Sequence, residues 1–535
     1  VLLAGLNNPS QPDTKNNFVT RELFTRALSR YVDARGIEKA LVQISRPEEW
    51  IMKNTQQHRR MQLPAASAAL VLAAVLVSAV ITAQSAQADT FTTLVNFNGT
   101  NGASPYYMSL VQGTNGNLYG TTEGGGANNG GTVFRVTPSG TLTTLYNFCA
   151  QTGCTDGYEP YAGLVLGTDG NFYGTTYEGG ANDAGTVFKI TSAGVLTVLH
   201  SFNISVDGAF PYAALIEATN GKLYGTTSEG GANGFGTVFS ITTGGTLTTL
   251  ASFPDGYSTA SLVQGANGIF YGTTFDGGPN HAGTVFSITA GGTLTTLYNF
   301  CSLAACADGS NPLAALIQAT NGDFYGTTYQ GGTGGGSGDG TVFSITPGGT
   351  LTTLHSFDGA NDGEVPYAGL IQASNGTFYG TTENGGPSGA GTVFSITSGG
   401  KLTTLATFSD ITGGGYFPEG GLLQATNGTL YGTTTYGTTV EGGANDGIVF
   451  SLAVGEGPFV KTLPTSGNVG SAVTILGTNL TGATSVTFNG TAATFTVVSK
   501  SEITTTVPTG ATTGKVKVVT PSRTLTSNVN FRVTP

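Results

Sequence analysis

The sequence predicts an all-β chain: a seven-bladed β-propeller of four-stranded blades, closed by its N-terminal strand, followed by a small Ig-like β-sandwich. Three observations predict it. A block of residues recurs seven times at intervals of 47 to 54 residues, the length of a propeller blade. The repeat starts out of phase, with a lone last strand ahead of the first complete copy. The pattern then changes at Pro458 into short alternating strands of another kind.

The repeat is anchored by Tyr-Gly-Thr-Thr, beginning at Tyr119, Tyr173, Tyr224, Tyr271, Tyr325, Tyr379 and Tyr431. A Gly-Gly pair follows each copy, as at Gly124-Gly125 and Gly179-Gly180. Gly-Thr-Val-Phe comes next, at Gly131, Gly185, Gly236, Gly283, Gly340 and Gly391, with Gly447 opening the variant last copy. Within the second copy four strands are predicted, at Tyr161–Leu166, Asn171–Thr176, Gly185–Thr191 and Val195–Phe202, separated by turn residues. Adjacent large residues such as Phe172 and Tyr173 point to opposite faces of a strand, so both faces of each small sheet need cover. Radially stacked sheets supply it.

Closure is predicted from the ends. The run from Phe91 to Phe97 matches the fourth strand of the repeat, as in Leu142–Phe148, whereas the seventh copy ends at Leu452 without one. Pairing the two completes the last blade and removes the edges that an open array would expose.

These blocks resemble the GloVer tandem repeats of exported bacterial proteins described as having a choice of anchor. The resemblance covers residues 89–452 and implies a surface or extracellular setting without bringing an activity. After a linker at 453–457, residues 458–535 run from the Pro464 to Gly467 turn through Val473, Val486 and Ile503 to a final Val529–Val533 strand. In that order they resemble an IPT/TIG domain, an Ig-like module that implies a spacer or adhesion role in bacterial surface proteins.

Ahead of the repeats, residues 52–88 have the parts of an export signal: Arg59 and Arg60, an apolar run from Leu63 to Thr82, then small residues Ala86 and Ala88 before cleavage at Asp89. An uncleaved anchor is the alternative. Since such a signal does not begin fifty residues into a chain, residues 1–51 are read as a start called too early and left out of the fold.

Charge narrows the partners. Between 89 and 452 the only cations are Arg135, Lys189, Lys222 and Lys401, against 23 Asp and Glu. Such a surface does not neutralise phosphates, so nucleic acid and anionic membrane are poor partners. The four cysteines form two Cys-x4-Cys pairs, Cys149 with Cys154 and Cys301 with Cys306, expected as loop disulfides in an exported chain.

The loops after the fourth strands and between the second and third strands share one propeller face. They place Asp156, Asp183, Asp207, Asp276, Asp308, Asp362 and Asp446 on a rim suited to sugar hydroxyls or Ca²⁺, although Asp is also a turn former. The first strands end in Gln112, Glu217, Gln264, Gln318, Gln372 and Gln424, with Leu166 breaking the series; these amides are expected to bond one another around the channel. His200 and His355 share a column with Tyr146, Tyr298 and Ala251, which suggests packing.

No catalytic constellation stands out, and no cofactor is required. The expected function is a non-catalytic surface scaffold binding polysaccharide or extracellular protein, with tyrosines supplying any stacking because the single Trp, Trp50, precedes the signal. A polysaccharide-active propeller enzyme and a purely structural envelope protein are the alternatives.

Overall fold

Each repeat folds into one antiparallel four-stranded sheet, and the motif residues hold it together. The structure, a computed structural model, describes residues 90–333, 339–409, 414–437 and 446–534. The presumed early start and the export signal with Ala86, Ala88 and Asp89 lie outside the described residues. Blade 1 comprises Val111–Gln112, Leu118–Thr122, Thr132–Val136 and Leu142–Asn147, and six further sheets follow the same order. The first strand of each blade is two residues long, shorter than predicted. The residues before it, such as Ala162, turn their carbonyls to a neighbouring blade and leave the ladder; Ala162 accepts from the Thr121 hydroxyl at 2.8 Å.

That contact begins to explain Tyr-Gly-Thr-Thr. Its first Thr donates to the next blade, as Thr175 does to the Ala213 carbonyl and Thr273 to that of Ala314. Its second Thr bonds the Thr of Gly-Thr-Val-Phe within the blade, as in Thr122 with Thr132 at 2.9 Å. The Gly lies under the Phe of that same block: a Cβ on Gly174 would stand 2.6 Å from Phe188 Cζ, closer than carbon atoms approach. The Tyr stacks on the next blade, Tyr119 on Phe172 at 4.2 Å between ring centroids. All four positions are committed to packing.

The core is consequently divided among the blade interfaces. Seven clusters each join two neighbouring blades, as Tyr119, Val133 and Phe148 join Leu164, Phe172 and Phe188, and an eighth fills the Ig-like domain. The ring closes as predicted. Thr90–Asn96 pairs antiparallel with Ile448–Ala453, Phe91 facing Leu452, and Val95 and Phe97 pack into the interface between the last and first blades.

The amide series does something other than expected. Its members do not bond one another; each reaches the preceding blade. Gln264 accepts from the Thr219 N–H at 2.9 Å, Gln318 from Ala266 at 2.8 Å, Gln372 from Thr320 at 2.9 Å, Gln424 from Ser374 at 3.1 Å and Gln112 from Thr426 at 2.9 Å. Glu217 takes both the N–H and the hydroxyl of Thr168. The backbone donor of a tight turn lies nearer each side chain than the next side chain around the ring.

Leu166 interrupts this girdle where the C-terminal domain sits. Leu166 and Leu476 share one buried cluster with half-buried Leu463 at its margin, and the Ser501 hydroxyl donates to the Thr114 carbonyl at 2.7 Å. The domain is a sandwich of a four-stranded sheet (Lys461–Leu463, Ala472–Leu476, Glu502–Thr506, Phe495–Val497) and a five-stranded one (Ser466–Gly467, Thr524–Val533, Gly514–Val519, Ser485–Phe488, Thr491–Ala493). The segment read as a linker is pinned: Glu456 accepts from Ser374 and Asn375, and the Lys461 ammonium donates to the Gln424 carbonyl. All of these contacts fall on the face that carries the turns between first and second strands.

A tyrosine-lined channel mouth as candidate functional site

The residues entering the first strands bring small side chains to the propeller axis. Ser109, Gly163, Ala214, Ser261, Ala315 and Gly369 are among those lining a central channel of about 280 Å³. On the face opposite the Ig-like domain this channel is stoppered by aromatic rings. Six blades carry the same number of residues between the proline column and the end of the first strand, counting Ser258 as the fourth blade's member of that column; blade 1, from Pro105 to Gln112, has one more. The extra residue places Tyr107 at φ 49°, in the left-handed region that a bulky residue adopts only when its surroundings hold it there.

From there Tyr107 reaches across the axis. Its ring centroid lies 5.0 Å from that of Tyr212 and 4.6 Å from that of Tyr367, and its hydroxyl bonds the Tyr367 hydroxyl. Tyr161 stacks on Tyr212 at 5.0 Å with an 11° interplanar angle. Beside this stopper opens a cleft of about 480 Å³ whose walls include Tyr107, Tyr177, Tyr212, Tyr257, Tyr329 and Tyr367. Burial drives the Tyr107, Tyr161 and Tyr212 phenols far above their ordinary range and takes Tyr367 to about 12, so the rings present neutral hydroxyls.

Carboxyl groups ring the same mouth. Glu419 takes the place of the column tyrosine in blade 7, lines the channel and is 6 % exposed. Its carboxyl is pushed up to about 8, chiefly by burial, with Glu383 and Glu123 adding repulsion against the stabilising hydroxyl of Thr435. Burial and neighbouring carboxylates raise Glu123 and Glu383 as well. Glu419 and Glu383 act on both Tyr329 and Tyr367, while Glu123 and Glu159 act on Tyr161, so acids and phenols interleave around one opening.

The comparisons with known proteins assign the repeat. A model of the Gloeobacter/Verrucomicrobia repeat matches residues 78–264 and again 254–450, and an IPT/TIG domain matches 459–533. The chain belongs to the Gloeobacter/Verrucomicrobia repeat family. Among curated proteins none matches it. Solved structures to which it is similar include virginiamycin B lyase from Staphylococcus aureus, at 15 % identity and a TM-score of 0.46 over 68 % of this chain and 98 % of that one. PorZ, a surface component of the type-IX secretion system of Porphyromonas gingivalis, is 17 % identical with a TM-score of 0.43 over 82 % and 61 %. A periplasmic gluconolactonase of Pseudomonas aeruginosa is 15 % identical with a TM-score of 0.36 over 63 % and 99 %. At these values none of them lends this chain an activity.

In this Gloeobacter/Verrucomicrobia repeat propeller the two rim loops do share one face, bridged by pairs such as Tyr158 with Glu178 and Ala209 with Glu229. Four of the rim aspartates nevertheless turn away from it. Asp156 accepts from the Tyr146 hydroxyl and the N–H groups of Ala150 and Gln151, and Asp308 repeats this with Tyr298, Ser302 and Leu303; both are fully buried. Asp207 and Asp362 bond His200 at 2.7 Å and His355 at 2.6 Å. These carboxylates are spent on orphan donors of their own loops, while His200 and His355 also pack as expected, edge-on to Phe202 and Phe357. The signal was legible: Asp follows wherever that column holds Tyr or His.

Asp183 is exposed and accepts from the Gly179 N–H; Asp276 accepts from that of Tyr257. Asp446 is half-buried, its carboxyl raised by that burial. Cys149–Cys154 and Cys301–Cys306 are disulfides, each closing a loop over a buried Asp. Among the described residues no three His, Cys, Asp or Glu side chains are grouped to hold a metal ion. The mouth itself was missed. Its signals were the tyrosines following the proline column and the one-residue excess of blade 1.

Proposed function

We propose that this chain is an exported, non-catalytic scaffold of the cell surface that takes a polysaccharide or extracellular protein at the tyrosine-lined mouth of its propeller. One observation carries the reading. The extra residue of blade 1 holds Tyr107 in a costly backbone conformation to build an aromatic cleft, although the repeat motif is fully used in packing without it. Stacking on phenol rings is a common means of holding sugar rings or peptide side chains.

Two further features support the setting. Disulfides persist in oxidising compartments, and the chain has two. The IPT/TIG domain sits on the opposite face and does not cover the mouth. No helix among the described residues is long and apolar enough to cross a membrane.

A glycan-array screen of the whole chain, with and without Ca²⁺, run beside a sugar-release assay, tests the proposal. Retention of a glycan that Tyr212→Ala abolishes, with no release, is the expected result. Released oligosaccharide makes the chain an enzyme and overturns it.

A further inference from the structure

The mouth has an electrostatic character that a neutral sugar does not use. Around the phenol rings stand Glu123, Glu383 and Glu419, all raised by burial before any other cause. Among the described residues none of them has a cation to answer it. Arg135 and Lys189 lie opposite Tyr119 and Tyr173, at the far ends of their strands, while Lys222 and Lys401 adjoin turns of the other face. The His–Asp contacts among the described residues, His200 with Asp207 and His355 with Asp362, are both away from the mouth.

A carboxylate withdrawn from water beside other carboxylates is held at a cost, which an entering positive charge relieves. Aromatic faces add to the attraction, because the ring quadrupole is negative above the plane. A hard metal ion does not fit this lining. It demands several oxygen ligands at short range, carboxylates foremost, and no three His, Cys, Asp or Glu side chains are grouped for one among the described residues. An organic ammonium fits both features, being weakly hydrated over its carbon substituents and content with ring faces and dispersed carboxylates.

Resting on the binding function proposed above, we propose that the ligand of this mouth carries an ammonium group, set over the Tyr107, Tyr212, Tyr329 and Tyr367 rings and answered by Glu383. The amine belongs either to an amino sugar of an oligosaccharide or to a small organic cation. Acidic glycans are repelled. Neutral glycans gain only the stacking contribution.

Titrating the full chain at pH 6 with a glucosamine hexamer, with its fully N-acetylated counterpart and with tetramethylammonium separates these cases. The expected result is that the free-amine hexamer binds at least about tenfold more tightly than the acetylated one, since a desolvated cation–π contact is worth a factor of this order. Glu383→Gln should weaken it severalfold, as should raising the salt concentration. Glu123→Gln serves as a second variant should the first fail to fold. Equal affinity for both hexamers overturns the ammonium proposal and leaves glycan binding standing. Tetramethylammonium binding with neither hexamer bound supports the ammonium site and removes the sugar. Silence from all three overturns both.

Discussion

Tyr107 and Tyr367, 260 residues apart in the chain, meet over the propeller axis with ring centroids 4.6 Å apart and their hydroxyls bonded. The contact exists because blade 1 carries one residue more than its six sisters between the proline column and the end of its first strand. Two opposing effects bear on it. Glycine at 107 would relieve the left-handed backbone by about 1 kcal/mol. It would forfeit the burial of the ring, worth about 2 kcal/mol, and the contacts with Tyr106, Tyr161, Tyr212 and Tyr367, the closer of them worth about 1 kcal/mol each. Tyr107→Gly is therefore expected to lower the unfolding free energy by about 3 kcal/mol and to weaken ligand binding. An unchanged unfolding midpoint would show that these ring contacts do not hold the stopper together.

The Asp-centred loops can be exchanged. Tyr146 and Tyr298 do for Asp156 and Asp308 what His200 and His355 do for Asp207 and Asp362. His200→Ala should cost about 2 kcal/mol, the range for a hydrogen bond to a charged group. His200→Tyr should recover most of it. Denaturant unfolding of the two variants decides, and equal losses would refute the exchange.

Leu166 makes docking of the C-terminal domain testable. Leu166→Gln removes an apolar contact worth about 2 kcal/mol and offers the clasp that other blades possess, worth about 1 kcal/mol. The net expectation is a propeller that still closes with a domain that undocks more often. Limited proteolysis around 454–458 should accelerate, while Gln264→Leu, in a blade free of the domain, should leave that rate unchanged.

Glu419 predicts the acid–base profile. With its carboxyl raised to about 8 against an unfolded value of 4.5, the folded state holds the proton more tightly. The stability that this proton supplies is fully present below pH 4.5 and is lost as pH rises towards and through about 8. Glu419→Gln cannot titrate, so thermal unfolding of the variant should decline less than wild type between these limits. Parallel pH curves would place the group in water.

Much of the fold was legible because the repeat is redundant. Seven copies of a turn–strand pattern constrain one another, so the blade length, the phase shift and the closing strand at Phe91–Phe97 could be read without coordinates. The Cys-x4-Cys pairs were legible for the same reason: a short loop leaves a cysteine few partners. The amide series was seen but its bonds were misassigned, since a sequence shows a column of Gln and not which backbone N–H lies beneath it.

The sequence alone therefore determined the architecture, which local patterns repeated seven times over-specify. The site was decided by the tertiary structure. Tyr107, Tyr212, Tyr367 and Glu419 come from four blades, and no local rule links them. Only ring closure brings the blades to a common axis, and there one inserted residue and one Glu in place of Tyr make a mouth that no single repeat encodes.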